Sequence, residues 1–217
     1  MGQARRILVC EDEADLRTLV GRLLWDQGHD VEFASTGEAA LARLERGDVD
    51  LLVLDLVLAG MSGQQVLERL RQFSRPPRVV VVTGRNDYET FALAMRRGAD
   101  EYLVKPFRLN VLLRACEDVF RSSESAVPER RAERRRSMGG SVHISDPHGS
   151  DLGHGTLVDL SAGGAQVELT SPLQLRSVVR VAVDAASGLL VDVKGRVAWQ
   201  GRGPRGVAHG LGFVHAT

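Results

Sequence analysis

The sequence predicts two folding units in tandem: a doubly wound α/β unit of five parallel strands and five helices, then a small antiparallel β-barrel. Short continuous apolar runs separated by helix-length amphipathic segments carry the first half of that reading. Such runs are the pattern of parallel strands covered by helices on both faces. The second half rests on a change after Arg121 to short β-rich runs punctuated by glycine. A chain of 217 residues is longer than one α/β unit of this kind needs and leaves room for a second small domain.

Along the first half, the apolar runs are Ile7 to Cys10, Leu51 to Leu58 interrupted by Asp55, Val79 to Val82, and Tyr102 to Val104. Between them, Ala14 to Gln27 carries Leu16, Leu19, Val20, Leu23 and Leu24 at helical spacing. Ser35-Thr36 can cap a helix running to Arg46, and Ser62 one running to Phe73. Helical segments near Tyr88 to Arg97 and Arg108 to Arg121 complete a five-fold βα alternation.

A carboxylate inside a run as greasy as that around Asp55 is costly unless cations or donors meet it. Glu11, Asp12 and Glu13 follow the first run, Thr83 follows the valines, and Lys105-Pro106 follows Val104. Open parallel sheets place ligands beyond the carboxyl ends of their strands, where all these residues fall. Taken singly, the acidic triplet suits the first turn of a helix, Asp55 a strand end, Thr83 a turn and Lys105 a solvated surface. Their joint occurrence at successive strand ends favours one site. Lysine occurs only at positions 105 and 194 in a chain that otherwise uses arginine, which suggests a need for a compact ammonium at Lys105.

With Gly63 eight positions after Asp55, Val82-Thr83-Gly84, and Gly98 to Phe107, residues 5 to 121 resemble a response-regulator receiver domain of the flavodoxin-like (CheY-like) fold. The resemblance implies that Asp55 is a phosphoacceptor. It also implies that Glu11, Asp12, Asp55 and the backbone carbonyl of Val57 hold Mg2+, whose preference for hard oxygens they suit. Lys105 would bind a phosphoryl oxygen, Thr83 would donate its hydroxyl to the phosphate, and Tyr102 would serve both as rotamer switch and as core packing. The implied partner is a sensor histidine kinase or phosphotransfer protein. One departure stands at Ala59, where the family usually has proline; this loosens the loop after the acceptor without removing a reacting group.

After Arg121, Ser122 to Pro128 reads as a linker and Glu129 to Arg136 as the one concentrated basic patch. The expected division is therefore 1–122, a linker at 123–128, and 129–217. Strands are expected at Ser141 to Ser145, Thr156 to Leu160, Ala165 to Leu169, Val178 to Val183, Leu189 to Trp199 and Val207 to Val214, with turns at Gly163-Gly164, Ser187-Gly188 and Gly201 to Gly206. Trp199 and Phe213 are expected in the barrel core.

Two short motifs then make residues 129 to 217 similar to a PilZ domain. Arg131 and Arg135 are arginines separated by three residues, with Arg130 immediately before, although Arg130 with Arg134 has the same spacing. Asp159-Leu160-Ser161-Ala162-Gly163-Gly164 fits Asp-x-Ser-x-x-Gly. The resemblance implies cyclic di-GMP as ligand, held by Arg130, Arg131, Arg135, Asp159, Ser161 and Gly164. Arginine pairs bidentately with phosphate or with the O6 and N7 edge of guanine, and Asp159 can accept from guanine N–H groups. Without the second motif, the arginines would read as a solvated charged linker.

Twenty-eight basic and 28 acidic residues give no net charge, so general nucleic-acid affinity and a DNA partner are not expected. No secretory signal or membrane-length apolar run is evident; a cytoplasmic protein without membrane insertion is expected. Cys10 and Cys116 read as core thiols, and the scattered His143, His148, His154, His209 and His215 do not form a zinc pattern. The expected function is a response regulator phosphorylated on Asp55 with a cyclic di-GMP output, acting on a downstream protein. The alternative is a phosphorylation-controlled adaptor whose barrel binds no nucleotide. An enzyme in the ordinary sense is not expected, because the only reactive constellation modifies its own aspartate.

Overall fold

A computed structural model of the chain describes residues 3–85, 87–124, 139–161, 163–185 and 190–214. The arginine segment that includes Arg130, Arg131, Arg134 and Arg135 lies outside the described residues, as do the linker from 125 onward, Ala162, Ser187-Gly188 and His215. Among the described residues, no helix is long and apolar enough to cross a membrane.

In the first unit, β1 (Arg6–Cys10), α1 (Ala14–Asp26), β2 (Asp30–Ala34), α2 (Gly37–Leu44) and β3 (Leu51–Asp55) lead into α3 (Gly63–Leu70), β4 (Arg78–Thr83), α4 (Tyr88–Arg96), β5 (Glu101–Val104) and α5 (Leu109–Glu124). The strands form a parallel sheet in the order β2-β1-β3-β4-β5. Both faces are buried at β1, β3, β4 and β5, which is why these strands are apolar runs, whereas the edge strand β2 alternates polar and apolar residues and leaves Asp30 and Phe33 exposed. Ile7, Val9, Leu51, Val53, Val80 and Val82 pack with Val20 and Leu24 of α1 and Leu112, Cys116 and Val119 of α5. Full burial of each such side chain contributes about 1.5–3 kcal/mol.

The caps follow the expected chemistry. Thr36 Oγ1 accepts the Ala39 N–H at the start of α2, and Ser62 forms a reciprocal capping box with Gln65 at the start of α3. The buried Asp100 closes the turn before β5: its carboxylate accepts from Arg78 Nη1 at 2.9 Å and from the Val79 N–H at 2.8 Å.

The second unit is a closed six-stranded antiparallel barrel of β6 (Gly140–Ser145), β7 (Asp151–Ser161), β8 (Gly164–Leu169), β9 (Val178–Ala185), β10 (Leu190–Arg202) and β11 (Val207–Phe213), ordered β10-β11-β8-β7-β6-β9. Its interior holds Val142, Ile144, Leu157, Leu160, Val167, Val181, Val197, Leu211 and Phe213. Two expectations need correction. Strand β7 begins at Asp151, five residues before Thr156, because a bulge opposite Ile144 and Ser145 accommodates Gly153 at φ 142° and lets the hairpin extend through a glycine-containing stretch. Trp199 is not core: it is 40% exposed and lies against Gly210, because a bulge between Val197 and Trp199 reverses the in/out alternation at that point.

Candidate functional site

Strand register alone brings the carboxyl ends to one level. Cys10 pairs with Leu54 and Asp55 with Val82, so Glu11, Asp55 and the end of β4 share a layer. Thr83 pairs with Val104, which places Lys105 one step beyond the sheet. The layer sits where the chain leaves β1 for the edge strand β2 and returns to β3, the switch point of such a sheet.

Within it, Lys105 Nζ donates to Asp55 Oδ2 at 2.6 Å and to Glu11 Oε2 at 2.5 Å. Asp55 and Glu11 are 4% and 2% exposed, so the ammonium offsets two carboxylates that water barely reaches. Burial pushes the Glu11 carboxyl above its usual value, with the Lys105 hydrogen bond opposing that shift and the Asp55 charge adding to it. Burial works against the Lys105 ammonium, but its hydrogen bonds to Asp55 and Glu11 prevail and hold its pKa above the ordinary value. The neighbouring Cys10 thiol is pushed up to about 12 by burial and by the Asp55, Glu11 and Asp12 charges, which leaves it inert as a nucleophile. Glu11, Asp12 and Asp55 offer carboxylate oxygens all within 4.8 Å of one another. These hard donors fit an octahedral, water-retaining cation such as Mg2+.

The Val57 N–H donates to Asp55 Oδ1 at 2.9 Å, which fixes the carboxylate and turns the chain out after β3. Thr83 is fully buried, and its Oγ1 accepts the Arg85 N–H at 3.3 Å. Tyr102 is fully buried as well, donating its hydroxyl to the Arg85 carbonyl at 2.7 Å, so Tyr102 and Thr83 both engage the segment after β4. The Lys105-Pro106 peptide is cis.

Three supporting residues were not legible as such. Arg17 on α1 reaches back to the Glu11 and Asp12 carbonyls at 2.8 and 3.2 Å and holds the acidic loop. Glu38 on α2 accepts the Met61 N–H at 2.9 Å and anchors the loop that Ala59 was expected to loosen. Gly63 packs its Cα against the Asp55 carbonyl, where a Cβ would lie 2.1 Å from the oxygen. Arg17 and Glu38 gave no signal beyond ordinary surface charges on helices. Gly63 was noticeable by its position but not by its contact.

In the barrel, Asp159 and Ser161 end β7, with Leu160 between them buried in the core. Asp159 is half-buried and pairs with Gln166 across the hairpin. Ser161 is buried; its hydroxyl donates to the Gly164 carbonyl at 3.1 Å and accepts the Gly163 N–H at 3.4 Å. Gly164 packs against the Leu211 carbonyl, leaving no space for a Cβ, whereas a Cβ on Gly163 would meet nothing. The structure thus groups Asp159, Ser161 and Gly164 at one turn.

The response regulator receiver domain model matches residues 7–117, and the PilZ domain model matches residues 129–217. Curated relatives include the transcriptional regulatory protein TcrA of Mycobacterium tuberculosis, 39% identical over 107 residues that make up 49% of this chain and 42% of TcrA. The two-component response regulator PhoP of Pseudomonas aeruginosa is 37% identical over 130 residues, 57% of this chain and 58% of PhoP. The chain therefore spans about two fifths to three fifths of the length of these relatives. Among solved structures, a CheY-like receiver domain protein from Methanospirillum hungatei aligns with a TM-score of 0.53 at 26% identity, covering 57% of this chain and all of that one. NtrX from Brucella abortus aligns with a TM-score of 0.53 at 33% identity, covering 56% of this chain and 28% of that one.

Proposed function

We propose, for a chain that belongs to the response-regulator receiver family and carries a PilZ domain after its receiver, that Asp55 is phosphorylated by a sensor histidine kinase or phosphotransfer protein and that the barrel answers to cyclic di-GMP. The observation that carries the first part is the Lys105 ammonium held between the buried Asp55 and Glu11 carboxylates at 2.6 and 2.5 Å. That is the charge arrangement a phosphoryl group needs on arrival: an oxygen nucleophile, a cation for a phosphoryl oxygen, and carboxylates for a metal.

In this reading an Asp55 carboxylate oxygen forms a bond to phosphorus as the donor's P–N bond breaks, and the leaving imidazole takes up a proton. Lys105 shifts from the carboxylates to an equatorial phosphoryl oxygen, and the Thr83 hydroxyl turns from the Arg85 N–H to donate to another. Glu11, Asp12, Asp55 and the Val57 carbonyl would hold Mg2+, which when bound neutralises charge on the transferring oxygens. Tyr102, already buried with its hydroxyl on the Arg85 carbonyl, would report the change by following that segment. The only chemistry proposed for the chain is its own phosphoryl transfer and autodephosphorylation, so it acts as a regulator and not as an enzyme on an outside substrate.

For the barrel, Asp159 at the end of β7 supports recognition of guanine N–H groups, with Arg130, Arg131 and Arg135 supplying the phosphate and guanine contacts. The arginines follow α5 within a few residues of chain, so phosphorylation and nucleotide binding would be coupled through that segment, reciprocally. The experiment is calorimetry with cyclic di-GMP on the wild type, Arg131→Ala and Asp159→Ala, each with and without beryllofluoride. Binding lost in both variants supports the nucleotide output. Equal affinity with and without beryllofluoride rejects the coupling alone.

One observation favours a second reading. The Ser161 hydroxyl proton is committed to the Gly164 carbonyl, so the motif builds its own turn. The barrel would then dock a downstream protein without the nucleotide, and the wild type would give no calorimetric signal.

A further inference from the structure

The outer face of the β6–β7 hairpin carries a second constellation, unconnected with phosphoryl transfer. His143 and His154 are directly paired across the two strands, with rings nearly parallel at 14° and centroids 4.4 Å apart. Both Nε2 atoms aim at one carboxylate: His143 Nε2 is 3.1 Å from Asp151 Oδ1 and His154 Nε2 is 3.3 Å from Asp151 Oδ2. In a regular strand Asp151 and His154, three residues apart, would face opposite sides. The bulge between Ile144 and Ser145 reverses that alternation and brings Asp151 onto the histidine face.

The carboxylate is also fixed from behind. Asp151 Oδ1 accepts the Gly153 N–H at 2.8 Å, and this bond, aided by the two histidines, holds its carboxyl below the usual range. Asp146 organises the connecting loop by accepting the His148 and Ser150 N–H groups, each at 2.8 Å. Two imidazoles and a carboxylate thus present ligand atoms all within 4.8 Å of one another on an ordered hairpin. A tetrahedral ion with bonds near 2.0–2.1 Å sets its ligand atoms about 3.3 Å apart, and because each lone pair lies in its ring plane, the two rings must turn out of their parallel stack about their side-chain torsions to meet it.

We propose that His143, Asp151 and His154 form a binding site for a borderline-soft divalent metal of the Zn2+ class, separate from the carboxylate cluster of the receiver. Imidazole nitrogens select Zn2+ over Mg2+, which prefers an all-oxygen octahedron. On loading, His143 Nε2 gives up its hydrogen bond to Asp151 and His154 Nε2 its ion-pair contact with the same carboxylate, and both turn lone pairs toward the ion, with the ring protons on Nδ1. Three protein ligands leave a fourth position for water or for a side chain of a partner. All three residues are substantially exposed, so the ion needs no unfolding to enter.

The test is a Zn2+ titration by calorimetry on the full chain in excess Mg2+, which occupies the receiver carboxylates, paired with thermal unfolding. The wild type is expected to bind one Zn2+ per chain and to melt at a higher temperature when loaded. His143→Ala and His154→Ala should each weaken binding by more than about 10-fold, while His148→Ala, on the same loop but outside the cluster, should bind as the wild type does. Absence of wild-type binding overturns the proposal, as does Zn2+ affinity that survives in the His143→Ala/His154→Ala double variant. Unfolding without metal shows whether each variant is folded, and Asp151→Asn provides a second, isosteric removal of a ligand charge.

Discussion

Gly63→Ala tests whether the position of the acceptor is set by backbone contact. An ideal Cβ at Gly63 lies 2.1 Å from the Asp55 carbonyl oxygen, 2.7 Å from Leu56 Cα and 2.9 Å from the Asp55 carbonyl carbon. Ordinary contact begins near 3.4 Å, so the segments must part by about 1.3 Å. All three obstructing atoms are backbone, and no side chain can rotate away to make room. Overpacking of this kind costs about 1–3 kcal/mol, and each kcal/mol lowers the melting temperature of a domain this size by roughly 3–6 °C. Moving Asp55 by on the order of 1 Å relative to Lys105 and Glu11 costs on the order of 100-fold in rate. Both effects are measurable, the first by thermal unfolding and the second by intact-protein mass during phosphorylation from acetyl phosphate with Mg2+. Gly84→Ala, where a Cβ would meet nothing within 4 Å, controls for the loss of a glycine as such. Wild-type melting and wild-type rate in Gly63→Ala would refute the packing account.

Further outcomes follow from other parts of the molecule. Lys105→Met leaves Glu11 and Asp55 facing each other without a cation. It should destabilise the receiver in Mg2+-free buffer by about 2–3 kcal/mol, less than a fully enclosed pair because Lys105 keeps a fifth of its surface in water, and Mg2+ should raise its melting temperature more than that of the wild type. Asp100→Ala strands the Val79 N–H and the Arg78 guanidinium and should cost about 3 kcal/mol in urea unfolding. Buried His209 accepts the Leu173 N–H at Nε2, and burial depresses its pKa below the ordinary 6.5. The unfolded chain then binds the proton more readily, so this contribution to barrel stability is complete above about pH 6.5 and is lost as pH falls through the lower folded value. Thermal unfolding across that window should show the loss in the wild type and not in His209→Gln.

The α/β unit was legible because its physics leaves a mark on four of the five strands; the edge strand β2, Asp-Val-Glu-Phe-Ala with Asp30 and Phe33 exposed, leaves none. Burial on both faces makes β1, β3, β4 and β5 apolar runs, and the site residues stand where those runs stop, so Glu11, Asp12, Asp55, Thr83 and Lys105 could be collected by position alone. The caps at Thr36 and Ser62 were legible for the same reason, a polar residue at the edge of a periodic pattern. Arg17 and Glu38 were hidden because each acts by reaching a backbone atom of a distant loop, at the Glu11 and Asp12 carbonyls and the Met61 N–H. Spacing along a helix carries no trace of such a contact.

The barrel hid more, and its bulges explain why. Side chains in a strand alternate with period two, so one extra residue sends every later side chain to the other face. Between Leu157 and Asp159 the ladder shifts by one, so Leu157 and Leu160 both point into the core and Asp159 stays out of it. Unbroken alternation would have placed Asp159, two residues after Leu157, in the apolar interior, where an unpaired carboxylate is costly. The same device turns Trp199 outward onto Gly210 two residues after the buried Val197. It also carries Asp151 to the side of His143 and His154. A sequence reads as a strand when its alternation is clean, and each of these chemically interesting positions exists because the alternation is broken. The residues that escape a period-two reading of this barrel are thus those that its bulges have re-aimed, and the ligand chemistry proposed for its outer surface depends on them.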